Sequence, residues 1–192
     1  MEKIEKELKF KINNPELLIS NFLKNGAVLL NKSKEKTIRF DTSQLDLEKK
    51  SIFLRVREGS KKVITLKEKI GENEAVKIRK ETEFEIEDIE SMRYILERIG
   101  FNYVRIFEKF RINMEYKSTT VSIDELPFGI YLEIEGDEDD INLITKELGY
   151  KDKDKIVGTY WDLFEKYKQE NNLEGKDILF PEDFKSKLLT LV

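Results

Sequence analysis

Neither cysteine nor histidine occurs anywhere in the 192 residues. Without cysteine there is no disulfide framework, no thiolate nucleophile and no sulfur-based metal site to consider. Without histidine, imidazole-held zinc, the usual general base near neutral pH and a Ser-His-Asp triad are all excluded. Any bound metal is therefore expected on oxygen ligands, which favours Mg²⁺, Mn²⁺ or Ca²⁺. A long apolar run is missing too. Nothing approaches the roughly 20 residues of a membrane-spanning helix, and the N-terminus reads as a charged strand rather than a signal sequence. These absences lead to the expectation of a soluble, cytoplasmic protein with no membrane partner. Nor is there an excess of positive charge, since 35 basic residues face 39 acidic ones for a formal net charge of -4. A phosphate-backbone binder normally shows the reverse balance, so no nucleic-acid partner is expected.

Charge is nevertheless abundant, at 39% of residues, and it is placed with period two. In an extended segment alternate side chains share a face. Glu5, Glu7, Lys9 and Lys11 thus oppose Ile4, Leu8, Phe10 and Ile12. The same split recurs with Arg55 and Arg57 against Ile52, Leu54 and Val56, and with Arg79, Glu81, Glu83 and Glu85 against Val76, Ile78, Phe84 and Ile86. Lys109 and Arg111 oppose Phe110 and Ile112, and Glu133 and Glu135 oppose Leu132 and Ile134. One such strand is an ordinary solvated face; five of them need something for their charges to meet.

Turn and cap residues divide the chain. Asn14-Pro15 opens a helix with an apolar stripe of Leu17, Leu18, Phe22 and Leu23, stopped at Gly26. Strands are predicted at 37–41, 51–57, 63–69 and 76–86, with turns at Glu58-Gly59-Ser60 and Gly71-Glu72-Asn73. Asp88 caps a helix running to Ile99, and strands follow at 103–115, 119–124 and 130–135. A third helix starts in the acidic stretch Asp137–Asp140, and a fourth spans 159–169. Residues 180–192 read as a short amphipathic tail. About eight strands to four helices, mostly in hairpin order, imply an α+β fold whose eight-stranded antiparallel sheet closes into a β-barrel. Helices packed outside would cover the aliphatic faces and leave a polar, charged lumen.

Buried charges must be compensated by one another or by ligands. Lys9, Arg55, Arg57, Lys67, Arg79, Lys109 and Arg111 form a cationic set suited to a polyanion, the arginines gripping phosphate oxygens bidentately. Glu5, Glu7, Glu81, Glu83, Asp124, Glu133 and Glu135 supply hard oxygen ligands for a divalent cation. A polyphosphate with Mg²⁺ or Mn²⁺ satisfies both sets at once.

These residues carry a family resemblance. Glu5-Lys6-Glu7-Leu8-Lys9 is an ExExK motif, followed in order by Phe40-Asp41-Thr42, Leu54-Arg55-Val56-Arg57, Thr65-Leu66-Lys67, Arg79-Lys80-Glu81-Thr82-Glu83, Lys109-Phe110-Arg111, Val121-Ser122-Ile123-Asp124 and Leu132-Glu133-Ile134-Glu135. In that order the chain resembles the CYTH domain of the triphosphate tunnel metalloenzyme superfamily, which includes class IV adenylate cyclases and thiamine triphosphatases. The resemblance implies a tunnel domain, set here at residues 1–169. The tail over 170–192 lies outside the matched region, and its Phe180, Phe184, Leu188 and Leu189 are expected to pack on the barrel rather than cover the tunnel mouth or contact a partner subunit. The resemblance also implies a small-molecule triphosphate bound by Lys9, Arg55, Arg57, Lys67, Lys109 and Arg111, to which Arg79 is added from its position. It further implies a Mg²⁺ or Mn²⁺ site on Glu5, Glu7, Asp124, Glu133 and Glu135, catalysis by Glu7, Lys9, Glu133 and Glu135, and a homodimer.

Some positions carry a plainer reading. Glu81 and Glu83 serve equally well as counter-charges to neighbouring arginines. Lys67 shares its face with Lys69, an edge pattern that also discourages aggregation. Asp41 suits a strand-end hydrogen-bonding role, and Arg39 stands outside the set. Tyr160 is expected to bury its ring in the helix interface rather than dock at the tunnel mouth. Triphosphate hydrolysis is the leading function, on inorganic tripolyphosphate or on thiamine or nucleoside triphosphate. Cyclisation of ATP to cyclic AMP and pyrophosphate is the alternative, and a non-catalytic polyphosphate-binding module the third. The missing histidine favours hydrolysis, because cyclase-like relatives can carry one near the N-terminus.

Overall fold

The computed structural model describes residues 2–70 and 77–191 of the chain. Eight strands, β1 (Glu2–Ile12), β2 (Val28–Asp41), β3 (Ile52–Glu58), β4 (Lys62–Lys69), β5 (Lys77–Glu85), β6 (Tyr103–Tyr116), β7 (Thr119–Leu126) and β8 (Gly129–Glu135), close into a barrel in the order β1-β5-β4-β3-β2-β6-β7-β8. Every neighbouring pair is antiparallel. Closure depends on β1, which pairs with β5 through Glu2–Glu7 and with β8 through Glu7–Ile12. The turn expected at Gly71-Glu72-Asn73, and Val76, lie outside the described residues.

Five α-helices stand among the described residues: α1 (Pro15–Lys24), α2 (Asp46–Lys49), α3 (Ile89–Arg98), α4 (Glu138–Glu147) and α5 (Tyr160–Asn171). Side chains accept hydrogen bonds at the predicted starts, Asn14 from the Leu17 amide at 3.0 Å and Asp88 from the Ser91 amide at 2.6 Å. Three helices cover the barrel from outside. Ile19 and Phe22 of α1 and Ile141 and Ile144 of α4 pack on the outward residues Leu8, Phe10, Ile112, Ile123, Leu132 and Ile134. Ile89 and Leu96 of α3 pack on Ile38, Phe40, Leu54 and Val56. At about 1.5–3 kcal/mol for each fully buried aliphatic side chain, this outer core, not the lumen, holds the barrel together.

α5 sits differently. Tyr160, Trp161 and Phe164 lie against Phe107, Leu126 and Tyr131, which share their strands' inner faces with Lys109, Asp124 and Glu133. An aromatic plug therefore closes one end of the lumen. The chain beyond α5 returns along the part of β6 that β7 leaves unpaired. Ile178 donates to the Ile106 carbonyl at 2.9 Å and accepts from the Glu108 amide at 2.8 Å. Phe180 and Phe184 then stack at 4.4 Å beside Phe110, and Leu188 is buried in the outer core.

Two local expectations need correction. The strand placed at 37–41 is the end of the 14-residue β2, which pairs with β6 along its length and has a register shift between Leu29 and Asn31. The short helix α2 was not anticipated. Asp41 ends β2 by accepting the amides of Thr42, Leu47 and Glu48 at 2.8, 2.9 and 3.0 Å, so its carboxylate caps α2.

Candidate active site in the barrel lumen

The period-two pattern places its charges inside. A cavity of about 580 Å³ is lined by Glu5, Glu7 and Lys9 of β1, Arg55 and Arg57 of β3, Lys67 of β4, and Arg79, Glu81 and Glu83 of β5. Lys109 and Arg111 of β6 and Glu133 and Glu135 of β8 complete the charged wall. The sequence-derived candidates are thus drawn together with one exception, because Asp124 lies behind the wall and is fully buried.

On the β1–β8 wall the register sets Lys9 opposite Glu133 and Glu7 opposite Glu135. Lys9 is ion-paired with Glu133, and its ammonium also stands 3.5 Å from Glu7 and 4.2 Å from the centre of the Tyr160 ring. Glu135 is paired with Lys3. Two strands round the ring from β1, the Lys67 ammonium donates to both oxygens of Glu5 at 2.6 and 2.7 Å and lies 3.3 Å from Glu81. Its burial distinguishes Lys67 from a solubilising edge lysine. Glu81 and Glu83 do act as counter-charges, Glu81 at 3.7 Å from Arg55 and Glu83 at 3.5 Å from Arg57.

Lys109 and Arg111 share Asp124. Lys109 donates to its Oδ2 at 3.1 Å, while Arg111 forks onto both oxygens and also reaches Glu133 at 2.5 Å. Burial alone would raise the Glu133 carboxyl, but Lys9, Arg111 and Lys109 outweigh it and hold the group well below the usual range. Burial pushes the Lys109 ammonium down, reinforced by Arg111 and only partly relieved by Asp124.

Two groups are left under-compensated. Arg55 is partly buried, its Nε is buried with no hydrogen-bond partner, and its carboxylates stand at 3.7 and 4.0 Å. Desolvation and then Arg57 push its pKa down, the signature of a cation lacking an anion. Glu5 is the mirror case, since burial, Glu7 and Glu81 raise its carboxyl in spite of Lys67. Among the described residues no three carboxylates are already gathered as a metal cage. The oxygen donors Glu5, Glu7, Glu133 and Glu135 nonetheless suit a hard divalent cation, and the raised Glu5 marks a place short of positive charge. Asp124 fits such a site poorly because its oxygens already receive protein donors.

Some lumenal residues were not among the candidates. Glu35 on β2 lies 3.4 Å from Lys109 and 3.7 Å from Arg57. Burial would raise its carboxyl, but Lys109, Arg111 and Arg57 together bring it down to about 2. Extending the 37–41 strand backward in the same parity would have found it. Tyr160, expected in the helix interface, instead docks α5 at the end of the lumen: its ring packs on the strand residues Tyr131 and Phe107 and lines the cavity, and its hydroxyl donates to Asp124 at 2.8 Å. Arg39 faces inward but is engaged by Glu48 at 2.6 Å, away from the cavity lining. The signal for Tyr160 is the Thr159/Asp162 capping box, which fixes the first residue of α5.

Similarity to other proteins agrees with this architecture. A Methanocaldococcus jannaschii protein provisionally named an adenylate cyclase is 28% identical over 155 residues, spanning 80% of this chain and 83% of that one. A conserved protein of Pyrococcus furiosus superposes with a TM-score of 0.69 at 24% identity, over 81% of this chain and 97% of the other. A Hippeastrum protein named for adenylyl cyclase activity, and described as revealing a dominant triphosphatase activity, superposes with a TM-score of 0.53 at 20% identity, over 100% and 95% of the two chains. The two solved structures speak to the fold alone. The sequence profile of the CYTH domain, however, runs through residues 3–160, from the first lumenal strand to the tyrosine at the plug, and the chain belongs to that family.

Proposed function

We propose that the protein is a divalent-metal-dependent triphosphatase that holds a linear triphosphate inside the barrel. The observation that carries this reading is Arg55, a partly buried guanidinium lining the cavity whose buried Nε is unpartnered and which has no carboxylate within hydrogen-bond reach. A polyanion supplies the missing acceptors. Arg55, Arg57, Lys67 and Arg79 would grip phosphate oxygens from one side, and Lys9, Lys109 and Arg111 from the other. Glu5, Glu7, Glu133 and Glu135 would hold Mg²⁺ or Mn²⁺, which when bound neutralises phosphate charge and lowers the pKa of a water.

The chain's own part is positioning and charge stabilisation, the main protein contributions to phosphoryl transfer. Lys9 and Arg111, bridged by Glu133, present two cations from neighbouring walls to the charge that develops on the phosphoryl oxygens. Glu7 and Glu135 face each other across β1 and β8 and would orient the attacking water through their oxygens. The α5 plug limits solvent to one end. Proton handling needs no imidazole here, which is consistent with a chain lacking histidine.

Cyclisation of ATP is the second reading, favoured by the name of the Methanocaldococcus jannaschii relative. The description of the Hippeastrum protein as predominantly a triphosphatase supports putting hydrolysis first. The test is incubation with Mg²⁺ or Mn²⁺ and, in parallel, tripolyphosphate, thiamine triphosphate and ATP, with all products separated chromatographically. Orthophosphate release supports the proposal and ranks the substrates. Cyclic AMP with pyrophosphate replaces it with the cyclase, and tight binding without turnover replaces it with a polyphosphate-binding module.

A further inference from the structure

Asp124 is fully buried and absent from the cavity lining, whereas Lys109, Arg111 and Tyr160 around it all reach the cavity. Four donors converge on its two oxygens. Arg111 Nε meets Oδ1 at 2.5 Å, and Arg111 Nη2, Lys109 Nζ and the Tyr160 hydroxyl meet Oδ2 at 2.5, 3.1 and 2.8 Å. Oδ2 already takes three donors, and the whole carboxylate is buried behind Lys109, Arg111 and Tyr160, so a metal ion in the lumen would reach it only by displacing one of these side chains. The displaced group would lose a buried partner, leaving Lys109 with Glu35 at 3.4 Å, Arg111 with Glu133, and the Tyr160 hydroxyl with no other acceptor among the described residues, which is costly in each case.

We infer that Asp124 is a positioning residue rather than a metal ligand, and that Tyr160 ties the seating of α5 to the orientation of Lys109 and Arg111. This deepens the triphosphatase reading and rests on it. Lys109 and Arg111 are two residues apart on one strand face, so their charges repel and their side chains would splay without a shared anion. Asp124 on the adjoining strand stands opposite Arg111 and gathers both heads. Tyr160 is the first residue of α5, directly after its capping residue, so the hydroxyl fixes the plug to the same carboxylate. Its ring also lies 4.2 Å from the Lys9 ammonium. One aromatic side chain thereby touches the phosphate-facing cations of β1 and, through Asp124, those of β6. Burial and the neighbouring Asp124 and Glu133 charges hold the Tyr160 hydroxyl protonated, which keeps it a donor.

The test compares the full-length parent with Tyr160→Phe and Asp124→Asn in two calorimetric titrations, Mn²⁺ alone and tripolyphosphate alone in chelator. The phenylalanine variant keeps the ring and its packing and removes one donor. Tyr160→Phe should bind Mn²⁺ as the parent does, bind tripolyphosphate about ten-fold more weakly, and melt within about 4 °C of the parent. Asp124→Asn should follow the same pattern with a larger loss for tripolyphosphate. A ten-fold or greater loss of Mn²⁺ affinity in Asp124→Asn would make Asp124 a ligand and overturn the inference. Should that variant not fold, Tyr160→Phe decides, and parental tripolyphosphate affinity in it overturns the inference on its own. A parent that binds no triphosphate removes the functional reading and this inference together, an outcome distinct from either of these.

Discussion

Replacing Arg55 with methionine should stabilise the unliganded protein while weakening its hold on a triphosphate. The side chain is only 16% exposed, its Nε is buried and unpartnered, and Arg39 stands directly opposite it across β2 and β3. Removing it strands no carboxylate. Glu81 keeps Lys67 at 3.3 Å, and Glu83 keeps Arg57 at 3.5 Å and the Thr65 hydroxyl at 2.8 Å. Methionine retains most of the apolar stem without the charge, and replacing poorly paired buried ions by apolar groups commonly gains about 1–4 kcal/mol. Since Arg55 still has partial compensation at 3.7 and 4.0 Å, the lower half of that range applies, about 1–2 kcal/mol. For a domain of this size that corresponds to a rise of about 2–8 °C in Tm. Thermal and urea unfolding without ligand, with tripolyphosphate titration on the same samples, make the measurement. A variant that loses 2 kcal/mol or more would show that Arg55 is satisfied within the protein, and the main support for an anion in the lumen would fall with it.

Glu133→Gln should act in the opposite sense, because it leaves Lys9 and Arg111 buried with less counter-charge. Each cation keeps a second partner, Glu7 or Asp124, so the loss should be about 2–3 kcal/mol by urea unfolding, below the usual cost of breaking a buried pair, while tripolyphosphate turnover falls by about 100-fold or more. Unchanged turnover would remove Glu133 from the site. The carboxyl of Glu35, lowered from 4.5 to about 2, contributes stability that is complete above its unfolded value and drains away as pH falls from about 4.5 towards 2. Glu35→Gln should flatten unfolding free energy against pH in that window, and a profile matching the parent's would contradict the ion pairs to Lys109 and Arg57. Chelation should abolish turnover yet leave the circular dichroism spectrum in place, since the lumenal glutamates have protein cations as partners; a collapse of the spectrum would make the metal structural.

The inner charges were legible because a β-strand has period two and the opposite face was aliphatic wherever the outer core needed it. Val56 and Ile134 are fully buried on the outside, and they announce Arg55 with Arg57 and Glu133 with Glu135 within. That signal fails in the first half of β2. Lys32, Lys34 and Lys36 occupy one face and Ser33 and Glu35 the other, so neither parity is apolar and nothing local declares a strand. Pairing with β6, more than 70 residues away, makes it one, and Glu35 was missed for that reason. The roles of Asp124 and Tyr160 were hidden in a similar way. A sequence shows an acid on a lumenal strand but not how many donors converge on it, and the hydroxyl of Tyr160 arrives from 36 residues further along the chain. The plug itself is a tertiary fact, because α5 reads as an ordinary amphipathic helix whichever end of the barrel it covers.

The strand carrying Glu5, Glu7 and Lys9 precedes the other seven along the chain, yet its contact between Lys9 and Glu133 spans 124 residues. Until β8 exists, half of β1 has no neighbour on that edge. Ring closure at β1 is thus a long-range event of the kind that slows folding, and the assembled site belongs to the final stage of the reaction rather than to its nucleus. A ligand that spans both walls would then recognise only the closed ring. Tripolyphosphate should slow unfolding in proportion to its occupancy while leaving the refolding limb of the chevron almost untouched.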